Sequence, residues 1–87
     1  MTTRKPISLT AHAEDAILER KIDGNWIERT VWKPEWYHPD PQRPGVERRF
    51  RVIPELGGRV LRVACLETAD EIRILTVFFD RDARDPS

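Results

Sequence analysis

Three segments in the second half of the chain have the residue composition of β-strands, and only short links separate them. The segments are residues 46–53, 59–66 and 71–79, and the links are residues 54–58 and 67–70. Links this short favour hairpins, so the sequence predicts an antiparallel meander. The third segment is apolar on both faces after Arg73, which is typical of a central strand. Two shorter candidates precede the meander, an edge strand at residues 35–38 and a strand at residues 7–9.

Two helices are predicted before the meander. The first covers residues 11–22, because Thr10 is a good N-cap and the acidic and then basic residues that follow match the helix dipole. The second takes Asn25 as its N-cap, carries Glu28 at the capping-box position and ends at Lys33. We therefore expect an α+β sandwich, in which two N-terminal helices pack on one face of a three- to four-stranded antiparallel sheet. The other face of the sheet is expected to stay partly open.

The length and composition of the chain indicate one small domain. Its 87 residues, 39% of them hydrophobic, are enough for a single core. We place this domain at residues 9–81, with residues 1–8 and 82–87 as flexible or short terminal segments. Cys65 is the only cysteine, so we expect a small buried hydrophobe and no intramolecular disulfide. Since no apolar run suggests a signal peptide or a membrane span, the sequence predicts a cytoplasmic protein.

Arginine is concentrated in the middle of a chain whose net charge is zero. Fifteen basic residues balance fifteen acidic ones, and six arginines lie between Arg43 and Arg62, counting both ends. A planar guanidinium with fixed donors suits phosphate better than any other side chain, although a high-GC genome would produce the same arginine bias. The total charge gives no sign of a nucleic-acid binder, so the functional expectation depends on where these arginines point.

Strand alternation places Arg49 and Arg51 on one face of the first meander strand. Neighbouring strands lie about 5 Å apart, so arginines on that face have same-face neighbours on the next strands. We expect such a cluster on the open face of the sheet, where it would bind phosphate or RNA. Its expected members are Arg48, Arg49, Arg51, Arg62 and Arg73, and Trp36 and Tyr37 are the aromatic residues expected to line a cleft. The alternative is that these arginines face solvent and pair with nearby glutamates.

His12 is a candidate general base. It lies in the first turn of the first predicted helix, where the positive end of the helix dipole favours a neutral imidazole. A neutral imidazole accepts a proton from a hydroxyl within hydrogen-bond reach. The alternative is that His12 caps or packs the helix, and His38 is a weaker candidate of the same kind. Two separate histidines and one cysteine lack the ligand spacing of a zinc site, so we predict neither a metal nor a cofactor.

Six short motifs stand in a defined order along the chain. They are His12-Ala13 at a helix start, Arg20 near its end, Trp26-Ile27-Glu28, Pro34-Glu35-Trp36, Arg59 to Val63 and Thr76 to Arg81. Together, over about residues 9–81, they resemble a widespread bacterial family of small uncharacterised domains usually grouped with the BrnT and RelE-type toxins. The resemblance implies a RelE-like sandwich, which the strand and helix pattern predicts independently. It also implies a metal-independent ribonuclease that cuts RNA by attack of the ribose 2′-hydroxyl.

The same resemblance implies roles for single residues. His12 is then the base or an orienting group, Arg49 and Arg62 are phosphate clamps, and Asp80 and Arg81 form a pair at the end of the last strand. RNA and an antitoxin protein are the expected partners. One alternative is that His12, Arg20 and the Asp80-Arg81 pair form a structural ion-pair network that fixes the first helix to the last strand, without catalysis. The other is a non-enzymatic module that pairs with a partner protein, or with itself as a homodimer, through its exposed sheet edge.

Overall fold

The computed structural model describes residues 4–84, which form two helices and five strands. In chain order they are β1 (Ile7–Leu9), α1 (Ala11–Arg20), α2 (Gly24–Trp32), β2 (Trp36–Pro39), β3 (Val46–Ile53), β4 (Arg59–Glu67) and β5 (Ile72–Phe79), with a 3-10 turn at Pro54–Leu56 between β3 and β4. The α+β class, both helices and the three-stranded meander agree with the sequence. The predicted terminal segments lie partly outside this range, since residues 1–3 and 85–87 are not described.

The five strands form one mixed sheet in the order β1-β5-β4-β3-β2. Strands β2 to β5 pair antiparallel, but β1 runs parallel to β5, so the prediction of a purely antiparallel sheet of three to four strands was wrong. The segment before residue 9 also contacts the sheet. Lys5 Nζ lies 2.8 Å from a carboxylate oxygen of Glu67, and the amide of Ile72 donates to the carbonyl of Pro6. The predicted strand at residues 7–9 is present as β1, but three residues carry too little pattern to predict its parallel pairing with β5.

The helices begin and end at residues with clear capping roles. Thr10 Oγ1 accepts from the amide of Ala13 at 3.1 Å and donates to the carbonyl of Leu75 at 3.2 Å, so one side chain starts α1 and attaches it to β5. Asp23, rather than the predicted Asn25, caps α2 by accepting from an amide at 2.8 Å. A carboxylate in that position also complements the helix dipole. Helix α1 ends two residues before the prediction because Lys21 adopts a left-handed conformation, with φ of 53°.

Both helices cover the same face of the sheet. Buried side chains of the helices, among them Ala13, Ile27 and Val31, pack with buried side chains of the central strands such as Leu61 and Val63. Large side chains in such a core each contribute about 2–5 kcal/mol to stability relative to alanine. The longest helix has ten residues, and no helix within residues 4–84 is long and apolar enough to cross a membrane.

Cys65 belongs to this core, as the sequence predicts. It is 1% exposed and makes no disulfide. Burial raises the pKa of the Cys65 thiol to about 11, because the effect of burial is larger than the opposite effect of the neighbouring Arg49. The thiol is therefore protonated at neutral pH and packs as a small hydrophobe.

Candidate functional site

The sheet face opposite the helices carries a row of three aromatic rings and one arginine. Trp36, Phe50, Arg62 and Phe78 stand directly opposite one another on β2, β3, β4 and β5. The rings of Trp36 and Phe50 are stacked, with centroids 5.2 Å apart and planes 6° from parallel. The guanidinium carbon of Arg62 lies 4.0 Å from the ring centroid of Phe78. Cross-strand pairing thus fixes the rings and the cation relative to each other.

Arg62 is the charged residue at the centre of this face. Its Nη1 donates to Asp80 at 3.2 Å, while its buried Nε has no acceptor within residues 4–84. Burial lowers the pKa of the Arg62 guanidinium, and repulsion from Arg48 lowers it further, although Asp80 and Asp40 act in the opposite direction. Burial and the neighbouring arginine together outweigh the two carboxylates and disfavour the cation, which a bound anion would stabilise.

Asp40 holds two further arginines beside Arg62. The Asp40 side chain is 1% exposed and accepts hydrogen bonds from the amides of Gln42 and Arg43, at 2.8 and 3.1 Å. It also accepts from Nε of Arg48 at 3.2 Å and lies 3.7 Å from Nε of Arg43. The backbone hydrogen bond from Gln42, followed by the contacts with Arg48, lowers the pKa of Asp40. This carboxylate therefore stays charged and fixes the loop that carries Arg43.

Two clefts meet at Arg62. The α1 cleft, of about 440 Å³, lies between α1 and the second half of β5. It brings Arg62 together with His12, Arg20 and Arg43, and the carboxylates of Asp15 and Glu19 line its helix side. The aromatic cleft, of about 240 Å³, lies over the strand row. Its main lining residues are Trp36, His38, Arg48, Phe50, Arg62 and Asp80.

Arginines continue beyond these two clefts. The strand-end cleft, of about 370 Å³, is lined by Arg20, Arg59, Phe78, Phe79 and Arg81, with no carboxylate. A smaller hollow of about 120 Å³ at Arg59, Arg81 and Arg84 connects it with the aromatic cleft. We call the arginines around all four hollows the arginine surface. Its members are Arg20, Arg43, Arg48, Arg59, Arg62, Arg81 and Arg84, against the four carboxylates of Asp15, Glu19, Asp80 and Asp82.

Arg49 and Arg51 do not belong to this surface, and their predicted place on the open face was wrong. Nη1 of Arg49 donates to the carbonyl of Val31 at 2.9 Å, and Nη1 of Arg51 donates to the carbonyl of Lys33 at 2.6 Å. Both arginines therefore lie on the helix side and bind carbonyls at the C-terminal end of α2, where the helix dipole favours cations. The alternation that placed them on one shared face was correct. It gave no information on which face the helices cover.

Two other predicted binding residues also lie away from Arg62. Tyr37 is 63% exposed and alternates with Trp36, so it points to the helix side, in a hollow beside Arg49. Arg73 is exposed on the open face, but it precedes Phe78 by five residues along β5, a separation of about 16 Å. Arg73 lines none of the four hollows.

The structure keeps the remaining predicted residues together and adds others. His12, Arg48, Arg62, Asp80 and Arg81 all line the connected hollows. The hollows are also lined by four arginines that were not predicted as site residues, Arg20, Arg43, Arg59 and Arg84, by Trp36, which was expected only to line a cleft, and by His38, which was only a weaker candidate base. The strand register puts Trp36 and His38 on the open face, whereas the loop conformation that carries Arg43 leaves no pattern in the sequence. Within residues 4–84, no three histidine, cysteine, aspartate or glutamate side chains cluster in a way that would hold a metal ion.

The fold and the site define a small α+β domain whose open sheet face and strand ends carry a connected set of arginines. The chain belongs to the family described as Domain of unknown function (DUF4258), whose model matches residues 9–79. This match contains both helices, strands β2 to β5 and most of the arginine surface, while Asp80 and Arg81 directly follow it. No curated protein and no solved structure matches the chain significantly.

Proposed function

We propose that this protein binds RNA on the arginine surface and cleaves it without a metal ion, as a toxin-related domain of the RelE and BrnT kind. The α1 cleft is the proposed catalytic centre. The order of the short sequence motifs supports the toxin relationship, and the placement of two N-terminal helices on one sheet face is compatible with it. A RelE-like arrangement of the sheet is part of this proposal.

The observation that carries the proposal is the meeting of His12 with three arginines in one cleft. His12 is exposed on the helix wall, and Arg20, Arg43 and Arg62 line the same space. Of these three arginines, Arg43 and Arg62 each contact one carboxylate within residues 4–84, and Arg20 contacts none. All three guanidinium groups therefore keep N–H donors for a phosphate. Cleavage of RNA by its own 2′-hydroxyl needs a base for the hydroxyl proton and cations that stabilise the phosphate, and an imidazole beside a phosphate site supplies both.

The proposed reaction uses groups of the substrate, groups of this chain and one proton from water. The His12 imidazole takes the proton of the ribose 2′-hydroxyl, and the oxygen attacks the neighbouring phosphorus. The bond from phosphorus to the 5′ oxygen breaks, leaving a 2′,3′-cyclic phosphate, and the 5′ oxygen takes a proton from water. Arg62, with Arg43 and Arg20, stabilises the extra negative charge on the phosphorus oxygens.

The test is cleavage of total RNA by purified protein in excess EDTA, paired with induced expression in a bacterial host. We expect fragments that end in a 2′,3′-cyclic phosphate, together with growth arrest. His12→Ala should abolish cleavage without loss of folding, because the side chain is exposed. Arg62→Ala should weaken both binding and cleavage. Harmless expression of folded protein, with intact RNA at every protein concentration, contradicts the ribonuclease.

Arg73→Ala is the matched control for Arg62→Ala. Both substitutions remove one arginine from the open face, but Arg73 lies about 16 Å from Phe78 along β5 and lines none of the clefts. A nonspecific effect of net charge would weaken RNA binding equally in the two variants. We expect Arg73→Ala to bind and cleave RNA like the unchanged protein.

The alternative function, a non-enzymatic module that pairs through its sheet edge, has less support. The two edge strands are β1 with three residues and β2 with four, and β2 ends in Pro39. Such short edges offer few backbone groups to a partner strand. A stable dimer or a captured partner strand, combined with no RNA binding, would favour this alternative.

A further inference from the structure

We propose that the aromatic cleft holds the base of one unpaired nucleotide, whose phosphate lies against Arg62. This inference rests on the proposed function and deepens it, because it names a single-stranded segment as the form of RNA that the protein takes. It assigns base stacking to Trp36 and His38, a role that the sequence did not indicate for His38.

The ring arrangement in the cleft is suited to stacking. Phe50 is 3% exposed and supports the two rings above it, that of Trp36 at 5.2 Å and that of His38 at 5.1 Å between centroids. Trp36 is half-buried and His38 is exposed, so these two rings present surface to a ligand. Because the stack with Phe50 already fixes Trp36, binding a base there costs little side-chain entropy.

The size of the cleft fits a single base better than a base pair. Its volume is about 240 Å³, below the roughly 300–1,000 Å³ that is usual for drug-sized ligands. A base held in a duplex would have to bring its partner and its stacked neighbours with it. An unpaired base has both ring faces and its Watson–Crick edge free, and such bases are the usual targets of aromatic side chains on RNA-binding sheets.

The polar groups around the rings complement a nucleotide. Arg48 and Arg62 line the cleft as cations, and the exposed residues Asp82 and Arg84 stand at its rim. Base edges carry both donors and acceptors, which a carboxylate and a guanidinium can satisfy together. Arg62 also lines the α1 cleft, so a phosphate bound there would join the stacked nucleotide to the ribose facing His12.

Mononucleotides test this inference apart from RNA cleavage. In ¹⁵N-labelled protein, the indole N–H signal of Trp36 is identified by its loss in Trp36→Phe, since the chain has three tryptophans. Nucleoside 5′-monophosphates should shift that signal in a saturable way. Ribose 5-phosphate carries the same phosphate without a base, and it should bind more weakly and leave the Trp36 signal in place. Equal affinity for the two probes would overturn the stacking site.

Variants of the cleft provide the second measurement. Trp36→Ala should weaken mononucleotide binding about tenfold, the effect of losing one stack between a base and an aromatic ring. Tyr37→Ala is the matched control, because Tyr37 is the next residue on the same strand and faces the other side. His38→Ala is informative even if Trp36→Ala fails to fold, since His38 is exposed. It should weaken binding, and unchanged affinity in the folded His38 variant would contradict the site.

The outcomes separate this inference from the proposed function. If mononucleotides bind at Trp36 but RNA is neither bound nor cut, the nucleotide site stands and the ribonuclease fails. If RNA is cut equally well by the unchanged protein and by folded Trp36→Ala and His38→Ala, the ribonuclease stands and the base site fails. Preference for single-stranded over duplex RNA, lost in His38→Ala, supports both.

Discussion

Arg49 and Arg62 show how the same side chain serves opposite purposes on neighbouring strands. Arg49 uses its Nε, Nη1 and Nη2 atoms for three hydrogen bonds, to Glu47, the carbonyl of Val31 and Glu67, and its side chain is 12% exposed. Burial alone would lower the pKa of Arg49, but the bonds to Glu47 and Glu67 outweigh it and raise that pKa. For Arg62 the balance is reversed, and the pKa falls. A guanidinium whose N–H groups all have acceptors serves the structure. A guanidinium that is buried with too few acceptors can still bind an anionic ligand.

The contrast predicts different effects on stability. Arg49→Ala should lower the free energy of unfolding by about 2 kcal/mol, because it leaves a buried carbonyl at the end of α2 without its donor. Arg62→Ala should cost about 1 kcal/mol or less, the value of a partly exposed ion pair and cation–π contact. Urea denaturation of both variants measures the difference. A larger loss for Arg62→Ala would assign Arg62 to the structural framework instead.

For single residues, the sequence showed which side chains share a face of a strand, but it did not show which face of the sheet the helices cover. Period-two alternation correctly separated Arg49 and Arg51 from Phe50. Both faces of β3 carry arginines, so the pattern did not distinguish the helix side from the open side. That choice depends on where the C-terminal carbonyls of α2 fall, which is a tertiary property. Arg48, whose partner Asp40 comes from a loop, lines the aromatic cleft and stays a binding candidate.

At the scale of elements, the turn between β3 and β4 is tied to α2 by a bidentate ion pair. Nη1 and Nη2 of Arg29 donate to the two carboxylate oxygens of Glu55 at 3.0 and 2.9 Å. The two helices and the three strands of the meander were predictable because these segments carry strong local signals. This tie was not, because Arg29 and Glu55 are 26 residues apart and each looks like an ordinary surface residue.

The ion pair predicts a loss of stability in acid. Hydrogen bonding by Arg29, then by the backbone, lowers the pKa of Glu55 from its usual 4.5 to about 2. A folded-state pKa below the unfolded one means that the contribution is complete above pH 4.5 and is lost as the pH falls to about 2. Thermal melts across this range should therefore show a shallower acid decline for Glu55→Gln.

Glu28→Gln is the control for the acid experiment. Glu28 is an exposed glutamate on α2 that makes no side-chain hydrogen bond within residues 4–84. Its substitution removes the same charge without touching the link between helix and turn. An acid decline that is unchanged in Glu55→Gln, or equally reduced in both variants, would show that this ion pair does not govern the response.

At the scale of the whole molecule, zero net charge conceals a strong separation of charge. Fifteen basic and fifteen acidic residues cancel, yet seven arginines lie around the hollows with five carboxylates, the four that line them and Asp40, which pairs with Arg43 and Arg48. Nothing in the composition shows this, since Arg20 and Arg81 are 61 positions apart in the sequence and become neighbours only where α1 packs beside the end of β5. Association with a polyanion follows this local field rather than the total charge.

Salt dependence is the measurement that tests this separation. If about four phosphates of a single-stranded RNA contact the arginine surface, the logarithm of the affinity should fall with the logarithm of salt with a slope of about −3. Raising salt from about 50 to about 200 mM would then weaken binding roughly 50-fold. Arg62→Ala should reduce the slope by about 0.7, the share of one phosphate contact, while Arg73→Ala leaves it unchanged. Fluorescence anisotropy with a labelled 12-nucleotide strand measures both slopes, and equal reductions in the two variants would mean that the phosphate contacts are not confined to the arginine surface.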